Sequence, residues 1–175
     1  MTLEDDVRKT CEDIEGVCND AERLKKTCGD EATKDLSTVE CKLERFVSEA
    51  GEVRRQVDAG VREGLEGLIG RWRDARDRLR AHLRLIEAKS VLASARRLAA
   101  DQYYVAAENE LTVALRTVTE ARDLLPTDDA HLTELVQEIQ HAVEDIHAKA
   151  DSAAATLEKV VACNERLLAE LEQAA

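Results

Sequence analysis

Proline, glycine and aromatic side chains are scarce in this 175-residue chain: one proline, seven glycines and an aromatic fraction of 2%, namely Phe46, Trp72, Tyr103 and Tyr104. β-Sandwiches and barrels draw on aromatic and β-branched residues and on frequent Gly/Pro turns, so the composition stands against them. No window holds the ~18 uncharged apolar residues that a membrane-spanning helix needs. The acidic start Met1-Thr2-Leu3-Glu4-Asp5-Asp6 lacks the apolar stretch of a secretory leader, and the expected location is cytoplasmic. The signatures Gly-x-x-x-x-Gly-Lys-Ser/Thr, Gly-x-Gly-x-x-Gly and Gly-x-Ser-x-Gly are missing as well, which speaks for a noncatalytic protein. Five cysteines (Cys11, Cys18, Cys28, Cys41, Cys163) form an odd set without Cys-x-x-Cys spacing. In a reducing cytosol they stand as thiols.

What the chain has in quantity is charge, 35% of residues, and good helix formers. The net charge of −12 is uneven: residues 1–50 carry −6, residues 51–100 carry +5 and residues 101–175 carry −11. An acidic chain repels phosphate backbones, so no nucleic-acid partner is expected. The basic middle block is placed to meet acidic surfaces, within one chain or between chains.

The apolar residues recur with heptad spacing. Val7, Ile14, Ala21 and Cys28 alternate with Leu3, Thr10, Val17 and Leu24, the stripe of a helix pressed lengthwise on other helices. Gly29-Asp30 stops it. A second stripe, Leu36, Val39, Leu43, Phe46, Ala50, Val53 and Val57, predicts an antiparallel hairpin over residues 1–59. Gly60, Gly64, Gly67 and Gly70 follow, each costing a helix interior about 0.8–1 kcal/mol relative to Ala. Residues 60–70 are therefore a kink or hinge. Beyond it, residues 71–175 are expected to form a three-helix bundle with a long last helix. Trp72, Ala75, Leu79, Leu83 and Ile86 open the first of these helices, Asp101-Gln102 reverses the chain, and Tyr104, Ala107, Leu111, Ala114, Leu115, Val118 and Ala121 line the next. The spacing of Leu98, Tyr104, Ala107, Leu111 and Ala114 resembles one tetratricopeptide-type hairpin. No second copy follows and the family's first-helix glycine is missing, so nothing of that family is carried over.

Pro126 ends the third helix and Thr127-Asp128-Asp129 caps the next. From there Val136, Val143, Ala150, Leu157, Asn164 and Leu171 alternate with Leu132, Ile139, Ile146, Ala153, Val160 and Leu167 without a slip in phase, and Asp151-Ser152 is the weakest point. A single helix over this span is roughly 70 Å long, against roughly 33 Å for the helix it returns along. Its far end would overhang by roughly 35 Å, carrying Leu157, Val160, Leu167 and Leu171 into solvent. Leaving large apolar side chains in water forgoes about 1.5–3 kcal/mol each. The overhang implies a homodimer, with Asn164 suited to an interchain register pair.

Other constellations point to chemistry less well. Glu138…His141 and Glu144…His147 have the Glu-x-x-His spacing of carboxylate-bridged metal bundles, but both lie on one helix and mostly off the seam, so a solvated face is expected and no metal or cofactor is assigned. His82 lies near an apolar face, as a structural histidine would. Cys11 and Cys18 are about 10 Å apart on one helix face, beyond disulfide reach. Cys28 and Cys41 face each other across the first hairpin, although Cys41 points off the seam. Arg73, Arg76, Arg80 and Arg84 form a basic stripe that would pair with local carboxylates, dock an acidic protein surface, or lie on anionic lipid. The sequence thus predicts an all-α fold, an elongated antiparallel helical bundle with coiled-coil-like helices. The expected role is a scaffold, adaptor or oligomerisation module acting through Arg73, Arg76, Arg80, Arg84, Leu157, Val160, Leu167 and Leu171. A lipid-surface bundle and a metal-binding bundle are the alternatives.

Overall fold

A computed structural model of the chain describes residues 3–28, 33–58, 65–125, 130–148 and 152–173. The regular structure among them is entirely helical: α1 (Leu3–Cys28), α2 (Thr33–Asp58), α3 (Leu65–Ala100), α4 (Tyr104–Leu124), α5 (Ala130–His147) and α6 (Ala153–Gln173). The fold is an all-α bundle. It divides into two compact units, Met1–Arg80 and Ala81–Ala175, and the division falls inside α3. Gly60 and Gly64 lie outside the described residues. Gly67 and Gly70 belong to the opening turns of α3, where an added Cβ would meet nothing within 4 Å.

In the first unit α1 and α2 pack against each other. Lys25 Nζ reaches Glu40 at 2.9 Å, and Arg54 acts electrostatically on the Cys11 thiol, so the two helices run antiparallel. The buried residues are the heptad stripes read from the sequence: Val7, Thr10, Ile14, Val17, Ala21 and Leu24 face Leu36, Val39, Leu43, Phe46, Ala50 and Val53. The first turns of α3 add Ile69, Trp72 and Leu79 to this core. Trp72 meets Phe46 edge-on at a centroid distance of 5.9 Å and an interplanar angle of 78°. Truncating a buried aromatic of this kind costs about 3–5 kcal/mol. This contact ties residues just beyond the glycines to the N-terminal hairpin.

The second unit contains the remainder of α3 with α4, α5 and α6. The α3–α4 reversal predicted at Asp101-Gln102 is present and has the form of a Schellman cap. Tyr103 N–H donates to Leu98 O at 2.8 Å and Gln102 N–H to Ala99 O at 3.0 Å, with Gln102 held at φ 62°. Those bonds satisfy carbonyls that the end of α3 would otherwise leave open. α4 packs on α5 and α5 on α6. Arg166 of α6 pairs with Glu134 of α5 at 2.7 Å, while Thr156 near the start of α6 bonds Asp145 near the end of α5, so this pair is antiparallel too. Asn164 of α6 reaches Leu85 O of α3, and Arg96 of α3 pairs with Glu158 of α6. Four antiparallel helices thus close around one core, with Ile86, Leu92, Leu111, Val118, Leu135, Ile139, Leu157 and Val160 inside.

This corrects the expectation of one long final helix. The helix ends at His147, resumes at Ala153 and folds back on itself, so residues 71–175 are not a three-helix bundle. The interruption falls at the Asp151-Ser152 weak point; residues 149–151 themselves lie outside the described residues, as do Gly29-Asp30, Pro126 and Thr127-Asp128-Asp129. Ser152 Oγ and Thr156 Oγ1 both donate to Asp145 Oδ2, at 3.1 and 2.6 Å. In a continuous helix these residues would be about 10 Å or more apart along the axis, so the bonds belong to the folded-back form.

Candidate interaction surfaces

The arginine stripe is spent inside the chain. Arg73 pairs with Asp6 at 3.0 Å, Arg76 with Asp13 at 2.5 Å and with Asp77 at 2.8 Å, and Arg80 with Asp13 at 3.9 Å. Arg84 pairs with Glu87 at 2.8 Å and with Glu120 at 3.2 Å. Asp6 and Asp13 stand one heptad apart on α1, beside its buried seam, and present carboxylates where the first turns of α3 present guanidinium groups. Arg76 is the best enclosed of the four, and its hydrogen bond to Asp77, supported by Asp13, holds its pKa above the ordinary arginine value against the opposing effect of burial. The carboxylates that these four arginines meet lie on α1, α3 and α4 of the same chain.

The predicted self-association residues are likewise occupied. Leu157, Val160 and Leu167 are buried in the core of the second unit, and Leu171 is half-buried. With α6 folded back, the roughly 35 Å overhang that exposed them does not exist among the described residues. Asn164 is not at an open seam either. It is fully buried, its Nδ2 donates to Leu85 O at 3.2 Å, and its Oδ1 has no hydrogen-bond partner.

Titratable side chains are dispersed. Among the described residues no three His, Cys, Asp or Glu side chains are grouped to hold a metal ion. His141 and His147 are exposed, His147 pairing with Glu108 at 3.4 Å, while His82 is buried. All five cysteines are free thiols, Cys28 and Cys41 included. Burial raises the pKa of Cys11, Cys18 and Cys163; at Cys11 the Arg54 charge opposes it, and at Cys163 so does Arg166. A raised pKa reduces the thiolate fraction and with it nucleophilicity.

One surface remains that the sequence reading passed over. Of the four large hydrophobic residues that stand exposed among those described, three lie on one short segment: Tyr103 (64% exposed), Val105 (74%) and Val113 (39%). Tyr103 completes the Schellman reversal and stands at the N-cap of α4. Val105 and Val113 lie on the face of α4 opposite its buried stripe of Ala107, Leu111, Ala114, Val118 and Ala121. Asn109 and Thr112 complete that outer face. In helical projection Glu108 and Glu110 flank it on either side, and Arg116 closes its far end. The signal was available in the sequence: positions 105, 109, 112 and 113 carry no charge in a chain that is 35% charged. No protein-family model, curated protein or solved structure matches the chain.

Proposed function

We propose that this chain is a noncatalytic helical adaptor that acts by packing its bundle surface against another protein. The observation that carries this reading is the outer face of α4, where Val105 and Val113 are left in solvent, with exposed Tyr103 at the helix N-cap, while the arginines and the seam leucines are engaged internally. Large apolar side chains gathered on one exposed face mark interaction sites more often than scattered ones do. The four-helix second unit offers that face as one side of a packed scaffold, which limits the ordering cost on binding. The partner is a different protein: self-association through Leu157, Val160 and Leu167 would require α6 to leave its own bundle. A cytoplasmic setting accords with five cysteines standing as thiols.

Site-specific photo-cross-linking tests the reading. A photoreactive residue is placed at position 105 and, in a separate protein, at exposed Gln137 on α5. In cells making the protein, position 105 is expected to give a discrete adduct and position 137 none. No adduct at 105, or equal adducts at both, would remove the adaptor reading.

A further inference from the structure

The outer face of α4 has a shape and a rim that restrict what it can hold. Val105, Asn109, Thr112, Val113 and Arg116 are spaced i, i+4, i+7, i+8 and i+11, a straight ridge about three turns and ~17 Å long. Exposed Tyr103 precedes the helix at its N-cap. A ridge one helix wide and uncharged along its middle is matched by the apolar stripe of another helix, whose i, i+3, i+4 and i+7 side chains enter the grooves beside it.

The rim sets the sign of the partner's charge. Half-buried Glu110 flanks the ridge on one side, Glu108 flanks it on the other with His147 at 3.4 Å, and exposed Asp101 stands at the reversal. Residues 81–175, the unit that carries the face, hold 9 Lys/Arg and 17 Asp/Glu, a net charge of −8. A second copy docking here would set acid against acid, and an anionic lipid surface would be repelled in the same way. A helix with Lys or Arg beside an aliphatic stripe would find its apolar residues on Val105 and Val113 and its cations beside Glu110 and Asp101, in the field of an acidic unit.

We propose that the outer face of α4, from Val105 to Arg116, docks a basic amphipathic helix of a partner protein. The proposal rests on the adaptor reading and names the chemistry of its partner. Like-charged contacts at the rim exclude acidic helices, and the half-polar ridge makes the contact reversible.

The test uses the full chain and two designed helical peptides, one Leu/Lys and one Leu/Glu with the same apolar stripe, each fluorescently labelled and titrated by anisotropy. The wild-type protein is expected to bind the Leu/Lys helix and not the Leu/Glu helix. The double variant Val105→Asp/Val113→Asp is expected to lose affinity about tenfold or more, whereas Val47→Asp, at the exposed valine of the first unit, keeps wild-type binding. The two added carboxylates make the protein more acidic, so attraction by net charge alone would strengthen binding where docking on the ridge weakens it. Helicity measured on each variant shows that the bundle persists, as both valines are exposed. Equal or tighter binding by the double variant, equal binding of both peptides, or a Val105-dependent association with phosphatidylcholine vesicles in place of the peptide would overturn the proposal. A positive cross-link at position 105 without Leu/Lys binding removes the basic-helix partner and leaves the adaptor; loss of both removes both.

Discussion

Asn164 offers a stringent test of the folded-back second unit, because the three substitutions that matter there differ in sign. The side chain is fully buried, donates one hydrogen bond to Leu85 O at 3.2 Å and leaves Oδ1 unsatisfied. A buried acceptor without a partner costs about 1–3 kcal/mol, and the single hydrogen bond returns about 1 kcal/mol. Leucine has the same number of side-chain heavy atoms, removes both polar groups and is the better helix former by a few tenths of a kcal/mol. Asn164→Leu is therefore expected to stabilise the protein by about 1 kcal/mol. Asn164→Asp places a carboxylate in the same site with no cation assigned to it, and an uncompensated buried charge costs about 3–5 kcal/mol. Burial raises the pKa of such a carboxyl, so its penalty is present at neutral pH and recedes as the pH falls toward protonation. Asn164→Ala trades a lost hydrogen bond and a small void against the removed acceptor and should change little. Urea unfolding followed by circular dichroism, with the midpoint compared at constant slope, reads all three. Were α6 a straight continuation of α5, residue 164 would lie on the overhang in water and every change would stay within about 0.5 kcal/mol. A flat series, or a leucine variant weaker than wild type, would refute the folded-back packing.

Other expectations follow from individual contacts. Arg76→Ala should lower the unfolding midpoint by the equivalent of about 1.5–3 kcal/mol, because it removes charge-assisted bonds to Asp13 and Asp77; Arg73→Ala, at a more exposed pair, should cost less than about 1 kcal/mol in the same assay. Gln102→Gly should raise the thermal midpoint by the equivalent of about 0.5–1 kcal/mol, since φ 62° strains a residue with a Cβ; a lower midpoint would mean the Schellman reversal is not formed as described. Hydrogen bonds from Thr156, then Ser152, hold Asp145 below the usual carboxylate pKa, so their contribution is complete above about pH 4 and is lost as the pH falls further. Asp145→Asn should weaken the protein at neutral pH and remove that part of the acid dependence, measured by urea midpoints against pH. Cys163 should alkylate more slowly than exposed Cys41 at pH 8 when the sites are resolved by peptide mapping, and equal rates would contradict its burial.

Much of the fold was readable because the seams of α1 and α2 are complete heptads in which nearly every stripe residue is buried as its position requires. The partners of the arginine stripe were harder to see. Asp6 and Asp13 carry the matching spacing on α1, but a flanking carboxylate looks the same in sequence whether it faces water or a third helix. The choice depends on where α3 lies, and the glycines before it left that open. The α4 face escaped for the opposite reason. Attention to apolar periodicity finds residues that agree with a stripe, whereas Val105 and Val113 lie opposite the stripe and are conspicuous only through the charge missing around them.

The final forty residues show where heptad reasoning stops. A seven-residue repeat reports which face of each turn is covered, and it does not register a reversal of the chain between two turns. The step from Ile146 to Ala153 keeps phase although α5 and α6 run in opposite directions, because both line the same core. Lengths carry the missing information. α4, α5 and α6 have 21, 18 and 21 residues, so each spans about 27–32 Å and the bundle closes without an overhang. Interrupting one helix and starting another costs about 4 kcal/mol for the new nucleus and a few tenths of a kcal/mol for each residue released. Burying Leu157, Val160, Leu167 and Leu168, each at about 1.5–3 kcal/mol, contributes roughly 6–12 kcal/mol. The second quantity exceeds the first, and a chain that folds α6 back on α5 covers its own seam.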